Sequence, residues 1–268
     1  MSYRICSFNV LRSVRGDDKD RKFFDFIKKL IYKERIDIFA FQEATNINFI
    51  ESVLRNISSY FSHWNGGALH NSNLAFVWNS NRVEECSRRH EPRIFSDYRS
   101  DTRMFREPAY GRFRPVDFKL NCEFRLINIH IKHGGDDSAE SINTRKLECD
   151  LAKGVIYQTI DKPSTGKDGS FNRVFTVVLG DYNLDCDTCN TRGPENIRTF
   201  QDEKTTLKKD GPGYKNSYDH FSYDIKNNGT VPRNPPSRID AVKDYFQDDF
   251  TLYRKEVSDH VPVKLEIF

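Results

Sequence analysis

Two periods of hydrophobic residues run through this chain, and their boundaries mark its elements. Val174-Phe175-Thr176-Val177-Val178-Leu179 is a β-branched run without a charge. A continuous run of this kind reads as a strand buried on both faces of its sheet. It stops at Gly180 and delivers Asp181 and Asn183, two residues apart. Shorter strands are predicted at Ile5 to Val10, Ile36 to Phe41 and Leu74 to Trp78. Tyr110 to Phe118 and Phe124 to Ile131 read as a hairpin. Ser217 to Asp224 reads as a strand, and the alternation after Pro262 closes the chain with another. Helical spacing appears at Phe23, Phe26, Ile27, Leu30 and Ile31 within Lys22 to Lys33, and at Phe49, Val53, Leu54 and Ile57. A long helix is expected over Ser138 to Ile160, with Ile142, Leu147, Leu151, Val155 and Ile156 turned inward, and a short one over Arg192 to Phe200. Glu84 to Thr102 reads as a surface excursion, while Pro163 to Asn172 and Asn227 to Ser237 read as loops.

Composition narrows the class. A chain of 268 residues, 37% hydrophobic and 30% charged, suits a globular α/β protein, and a single domain over 1–268 is expected. At this length a core forms without disulfides or metals to staple it. The formal net charge of +3 permits a polyanionic partner without demanding one. Cys6, Cys86, Cys122, Cys149, Cys186 and Cys189 are scattered rather than arranged as a disulfide framework. The single Cys186-x-x-Cys189 pair is too little for a zinc ribbon. No run reaches transmembrane length and none resembles a signal peptide, so the expectation is a monomer away from membranes, intracellular rather than secreted. Two sequons, Asn56-Ile57-Ser58 and Asn228-Gly229-Thr230, weigh on the other side.

The strand ends carry the chemistry. Asn9, Glu43, His130, Asp181 and Asn183 all follow apolar runs, and Asp259-His260 precedes the last one. Oxygen donors of this kind suit Mg²⁺ or Mn²⁺, and two histidines nearby can move protons close to neutral pH. Each residue taken alone has a plainer reading: Asn9 a turn cap, Glu43 the opening of a helix, His130 a core histidine, Asp259-His260 a surface loop. Together they point to one site, because four separate strands end in the same chemistry.

These residues fall in motifs. In order they are Ser7-Phe8-Asn9-Val10, Phe41-Gln42-Glu43, Phe105-Arg106-Glu107-Pro108-Ala109, Asn128-Ile129-His130, Leu179-Gly180-Asp181-Tyr182-Asn183, Tyr218-Asp219 and Ser258-Asp259-His260-Val261-Pro262-Val263. From end to end this resembles the endonuclease/exonuclease/phosphatase superfamily, and within it the DNase I group. The resemblance implies a four-layer α/β sandwich, two packed mixed β-sheets flanked by helices, with the site between the sheets. It implies a divalent-metal-dependent endonuclease that cuts double-stranded DNA to 5′-phosphate and 3′-hydroxyl ends. By motif, Asn9, Glu43 and Asp259 form the metal site for Mg²⁺, with Mn²⁺ as the alternative. His130, Asp181, Asn183, Asp219 and His260 are catalytic, and Arg106 and Asn183 contact the substrate. Asp219 is the expected carboxylate partner of His260 on its spacing to Asp259. Asp240 of Arg238-Ile239-Asp240, which resembles the strand of abasic-site endonucleases, is the rival. Which histidine takes the proton from water is open at this stage.

The chain also departs from that pattern. The strand around Ser72 to Trp78 lacks the acid that supports the first histidine, and Ala44-Thr45 replaces an arginine after Glu43, leaving Arg12 or Arg15 for groove contact. A family cysteine is met by Cys186, but its partner position near Asn216 is not a cysteine, so free thiols or a short Cys186–Cys189 bridge remain. Asp210-Gly211-Pro212-Gly213-Tyr214-Lys215 replaces a calcium loop, so a structural Ca²⁺ is not expected there, and Asp97, Asp101 and Glu107 are a weaker alternative. Competing readings are the same chemistry on abasic DNA, RNA or a phospholipid or inositol phosphate, and a non-catalytic nucleic-acid-binding relative.

Overall fold

The computed structural model describes residues 2–12, 18–45, 49–69, 73–86, 104–117, 121–132, 138–162, 164–165, 171–226, 232 and 234–267. In chain order, β1 (Tyr3–Arg12) leads through α1 (Asp18–Lys33) to β2 (Ile38–Ala44), then α2 (Phe49–Ile57), β3 (Trp64–Leu69), β4 (Leu74–Asn79) and β5 (Val83–Glu85). β6 (Ala109–Pro115) and β7 (Cys122–His130) precede α3 (Ala139–Leu151), a π-helical turn (Ala152–Ile156) and α4 (Tyr157–Ile160). β8 (Ser164–Thr165), β9 (Phe171–Asp181), α5 (Cys186–Asn190), β10 (Ile197–Phe200) and β11 (Asp219–Asp224) follow. β12 (Ser237–Arg238), α6 (Ala241–Phe246), α7 (Phe250–Glu256) and β13 (Val263–Ile267) complete it.

The strands form two mixed sheets. One runs β12-β13-β1-β2-β4-β3 and the other β10-β11-β9-β7-β6-β5, with β8 attached to β9. Each has a parallel pair within it, β1 with β2 and β7 with β9, and antiparallel neighbours elsewhere. The inner faces meet through Ile5, Ile38, Phe76 and Leu265 from the first sheet and Leu126, Phe175, Val177 and Leu179 from the second. Full burial of side chains of this size is worth about 1.5–3 kcal/mol each. The outer face of the first sheet packs on α1, α2, α6 and α7, with Phe23, Phe26 and Ile27 of α1 fully covered. The outer face of the second packs on the α3–α4 helix through Cys149, Ala152, Ile156 and Tyr157. Four layers result: helices, sheet, sheet, helices. No helix among the described residues is long and apolar enough to cross a membrane.

Two expectations need correction. The long helix begins as expected, with Ser138 capping it by accepting from Ser141 N, and Ile156 is buried as expected, but charged side chains share the buried face. Leu147 and Val155 are exposed, whereas Arg145, Glu148, Cys149, Ala152 and Lys153 are buried. The charged side chains win that face because each meets backbone partners there. Arg192 to Phe200 is not a helix: Ile197–Phe200 is a strand paired antiparallel with β11, and the short helix lies earlier, at Cys186–Asn190, capped by Asp185. β3 pairs with β4 although Asn65-Gly66-Gly67 shows no alternation, and α6 and α7 are too short for periodicity to reveal. Residues 87–103, 118–120, 133–137 and 227–231 lie outside the described set, and with them the expectations for Phe118, Asp97, Asp101 and the Asn228 sequon.

Candidate active site

Parallel pairing decides where the chemistry gathers. β1 and β2 run the same way, as do β7 and β9, so Asn9, Glu43, His130 and Asp181 all stand at C-terminal strand ends. This is where open α/β sheets place their ligands. The two sheets are pinned beneath the site by polar groups. Gln42 Nε2 donates to Asn128 Oδ1 at 2.7 Å, and Asn128 Nδ2 donates to the Phe41 carbonyl at 3.0 Å.

Gly180 lets β9 end against β7. Its φ is +143°, and a Cβ there would lie 2.0 Å from the Ile129 carbonyl oxygen. Gly180→Ala should therefore lower stability by about 3 kcal/mol; a denaturant midpoint equal to wild type would contradict this packing. Two candidate site positions are also strained: Glu43 and Asn183 hold φ of +56° and +48°. Left-handed backbone is uncommon for a residue with a side chain, though Asn tolerates it better than Glu.

Asp181 is the hub. Its Oδ2 accepts from Asn9 Nδ2 at 2.9 Å and its Oδ1 from Asn183 N at 2.9 Å. The same Oδ2 lies 3.6 Å from His130 Nε2 and 3.8 Å from His260 Nε2. Asn9 Nδ2 also reaches Glu43 Oε1 at 3.3 Å, and that oxygen is 3.6 Å from His130 Nε2. Asn183 Nδ2 donates to the Ile131 carbonyl at 2.9 Å, leaving one amide hydrogen and Oδ1 for other partners. Ser258 Oγ donates to the Asn9 carbonyl at 2.7 Å and accepts from His260 N at 3.1 Å, which seats the last motif over the first. Tyr253 Oη holds the His260 carbonyl at 2.9 Å.

Of the two candidate partners of His260, Asp219 is the one in contact: Oδ2 lies 2.8 Å from Nδ1. Asp240 is engaged elsewhere, accepting from Tyr214 Oη at 2.7 Å, with Arg238 Nη2 at 3.7 Å. Burial alone pulls the His260 pKa down, but Asp219 and then Asp181 outweigh it and raise it to about 10. Burial pushes Asp181 up to about 7, with Asp219 adding to it and His260 and Asn9 opposing. The raised His260 pKa stabilises the fold below about 6.5, and that contribution is lost as pH rises through about 10. Asp219→Asn should therefore cost about 3 kcal/mol near pH 6 and much less near pH 10.5. Denaturant titrations at both pH values test this, and an equal loss at both would contradict the pairing.

Could the site hold a cation? Asn9 and Glu43 are side by side, and Asp259 follows Ser258, which is bonded to Asn9. Asp259 Oδ1 is buried with no hydrogen-bond partner. An orphaned carboxylate oxygen on Asp259, with the adjoining Asn9 amide and Glu43 carboxylate, is a set of hard oxygen donors of the kind a divalent ion takes, so the residue types fit one. Asp181, Asp219 and His260 also bring ligand atoms within 4.8 Å of one another. In that trio Asp219 Oδ2 and His260 Nδ1 are already engaged with each other at 2.8 Å.

Arg106 Nη1 is buried without a hydrogen-bond partner among the described residues. The segment around it is held by a residue that periodicity overlooked. Glu148 accepts from Phe105 N through one oxygen and from Lys132 N at 3.1 Å through the other, and it faces the Arg106 charge. One turn earlier on the same helix face, Arg145 Nη1 donates to the Asn183 carbonyl at 3.1 Å. Arg145 and Glu148 thus tie α3 to the segments bearing Asn183, Arg106 and His130. Their signal in the sequence is a pair of charges three residues apart on a helix, which reads as a solvated face. Of the remaining expectations, all six cysteines are free thiols. Asp210 to Lys215 forms a turn closed by Lys208 N to the Gly213 carbonyl at 2.9 Å. Arg15 lies outside the described residues, and Arg12 is described by its backbone alone.

No protein-family description matches the sequence, and no curated protein matches it. Solved structures do match in fold. An endonuclease/exonuclease/phosphatase family protein from Bacteroides thetaiotaomicron is 15% identical with a TM-score of 0.62, over 100% of this chain and 97% of that one. TDP2 of D. rerio, complexed with single strand DNA product, is 14% identical with a TM-score of 0.62, over 100% and 99%. A mannosyl-6-phosphatase of Bacteroides thetaiotaomicron is 15% identical with a TM-score of 0.60, over 99% of each chain. The chain has the DNase I-like fold of these endonuclease/exonuclease/phosphatase proteins.

Proposed function

We propose that this chain is a divalent-metal-dependent phosphodiesterase that hydrolyses DNA, leaving 5′-phosphate and 3′-hydroxyl ends. The observation that carries the reading is the Asp219–His260–Asp181 chain of contacts, 2.8 and 3.8 Å, set at the C-terminal strand ends beside Asn9, Glu43 and His130. The shared fold agrees with it, since similar structures include one bound to a DNA product.

Glu43, Asn9 and Asp259 would hold Mg²⁺ or Mn²⁺, which when bound polarises phosphoryl oxygen and offsets its charge. The rest follows from the side chains. Asp181, poised near 7, takes the proton of the attacking water, and Asn183 orients that water through its remaining amide hydrogen and Oδ1. His260 is protonated across the neutral range and aims Nε2 toward the same oxygen of Asp181, so it donates to the phosphoryl or leaving oxygen. Asp219 fixes its tautomer and balances its charge. Two titrating groups with pKa values pushed apart separate base from acid. His130 stands against Glu43 and Asp181 and completes the pocket wall. Arg106 supplies a guanidinium with an unspent donor for the phosphate. Arg254, beside Asp259 at 3.7 Å and anchored on the Lys208 carbonyl, adds positive charge at the rim for a polyanion.

One observation favours a second reading, a phosphomonoesterase: a sugar phosphatase shares the fold to the same degree. The abasic-DNA reading has less support, because Asp240 turns to Tyr214 rather than to His260. Chromogenic esters separate the first two. With Mg²⁺ or Mn²⁺, bis-(p-nitrophenyl) phosphate should be hydrolysed at a kcat/KM at least about tenfold above p-nitrophenyl phosphate. The reverse preference would replace the diesterase with the monoesterase.

A further inference from the structure

A third buried histidine has no part in the reaction above. His220 follows Asp219 on β11 and is fully buried. Its Nδ1 lies 2.7 Å from the Gln201 carbonyl oxygen, and its Nε2 lies 2.8 Å from the Leu184 carbonyl oxygen. Both partners can only accept. A neutral imidazole carries one N–H and one lone pair. It could satisfy one carbonyl and would press its lone pair against the other, in a fully buried position. The imidazolium donates to both.

The backbone is bent to make these contacts. Gln201 holds φ at +84°, a conformation that costs a non-glycine residue energy and persists only where the surroundings fix it. Its carbonyl also accepts from Ser217 Oγ at 3.3 Å. On the other side, Leu184 directly follows Asn183, and the Tyr182 ring stands edge-on to His220 at 5.3 Å.

We propose that His220 is held as a doubly protonated imidazolium, and that it is a positioning residue which fixes the segment after Asn183 and places a cation behind Asp219. The charged groups that face it are Asp219 on its own strand and Asp185 on the loop after β9; the phenol of Tyr182 is un-ionised, its pKa pushed well up by burial. Burial is the largest influence on the ring and draws its pKa below the ordinary value, while the Leu184 and Gln201 carbonyls, Asp219 and Ser217 draw it up. The hydrogen-bond geometry decides between them, because a neutral ring keeps both short contacts only by opposing lone pairs. With His260, the ring gives the buried cluster two cations to face Asp181 and Asp219. The positioning role rests on the proposed phosphoesterase activity; the charge state does not.

The test reads the ring directly. Long-range ¹H–¹⁵N spectra of the full chain labelled with ¹⁵N-histidine should show both nitrogens of His220 protonated from about pH 6 to pH 9. The signals of the seven histidines are assigned by their loss in single substitutions, His220→Gln among them; if that variant does not fold, losses in the other six leave His220 by elimination. A non-protonated nitrogen at pH 7.5 would overturn the charge. On a diester substrate, His220→Gln should lower kcat about tenfold with KM within twofold, and unchanged kcat would overturn the positioning role. If wild type hydrolyses no phosphoester, the spectra still decide the charge, so the two readings fail separately.

Discussion

Replacing His260 with Ala should lower kcat for phosphodiester hydrolysis about 10³-fold, within the range by which a positioned acid or base accelerates a reaction. The ring has Nδ1 tied to Asp219 at 2.8 Å, its own N bonded to Ser258 Oγ and its carbonyl bonded to Tyr253, so its orientation is fixed from three sides. The proton it donates is the one feature Ala cannot supply. The loss should therefore fall on kcat, with KM for a diester changed little, because Arg106 remains to bind the phosphate. His260→Ala also leaves the buried Asp219 carboxylate unpaired, which costs stability. The comparison should be made at a temperature where a far-UV spectrum shows both proteins folded. A variant within threefold of wild type would remove His260 from the chemistry.

Asp181→Asn should be nearly as damaging to turnover, about 10²- to 10³-fold, while raising stability. The carboxyl sits in a place that burial penalises, and its pKa is pushed up to about 7. For a carboxylate, a raised folded-state value means that the folded protein binds the proton more tightly than the unfolded chain. Stability is therefore lost as pH rises from about 4 to about 7. Asn keeps the shape and one oxygen, which can accept from Asn9 Nδ2 or from Asn183 N but not from both, and it carries no charge. Its stability advantage over wild type should accordingly be small near pH 4.5 and grow through pH 7.5 in metal-free protein, read as denaturant midpoints. An inactive but more stable protein is what a residue kept for catalysis produces. A variant that is both destabilised and active would contradict the role given to Asp181.

Much of this was legible in the chain before its structure was seen, for reasons particular elements make plain. β9 could be read because a strand covered on both faces has no polar alternation, and its end at Gly180-Asp181 marks itself. α1 could be read because its inner face is entirely apolar, with Phe23, Phe26, Ile27 and Leu30 buried. The inner face of the α3–α4 helix could be read only in part: Ile156 is inward, but hydrophobic periodicity also counts Arg145 and Glu148 as outward and Leu147 and Val155 as inward. The structure reverses this by giving the charged pair backbone partners on Asn183, Phe105 and Lys132. β3 and β10 were hidden because edge strands with Gly or charge need only backbone pairing to form. Within the site, Asn9, Glu43, His130, Asp181, Asn183, Asp219 and His260 were found by motif, and the structure brings them together. Distances between elements such as the 2.8 Å from Asp219 to His260 were beyond reach of spacing. So was the pair of carbonyls around His220, since backbone acceptors leave no trace in residue identity.

The central claim is that these strand ends form one metal-assisted site for cutting DNA, and nicking of supercoiled plasmid tests it most directly. Purified full-length protein should convert supercoiled to open circular DNA in Mg²⁺ or Mn²⁺, leaving ends that ligase can seal, and chelator should stop it. Plasmid left intact by metal-loaded wild type from pH 5 to 8, or nicking that persists undiminished in Asp181→Asn, would contradict the account.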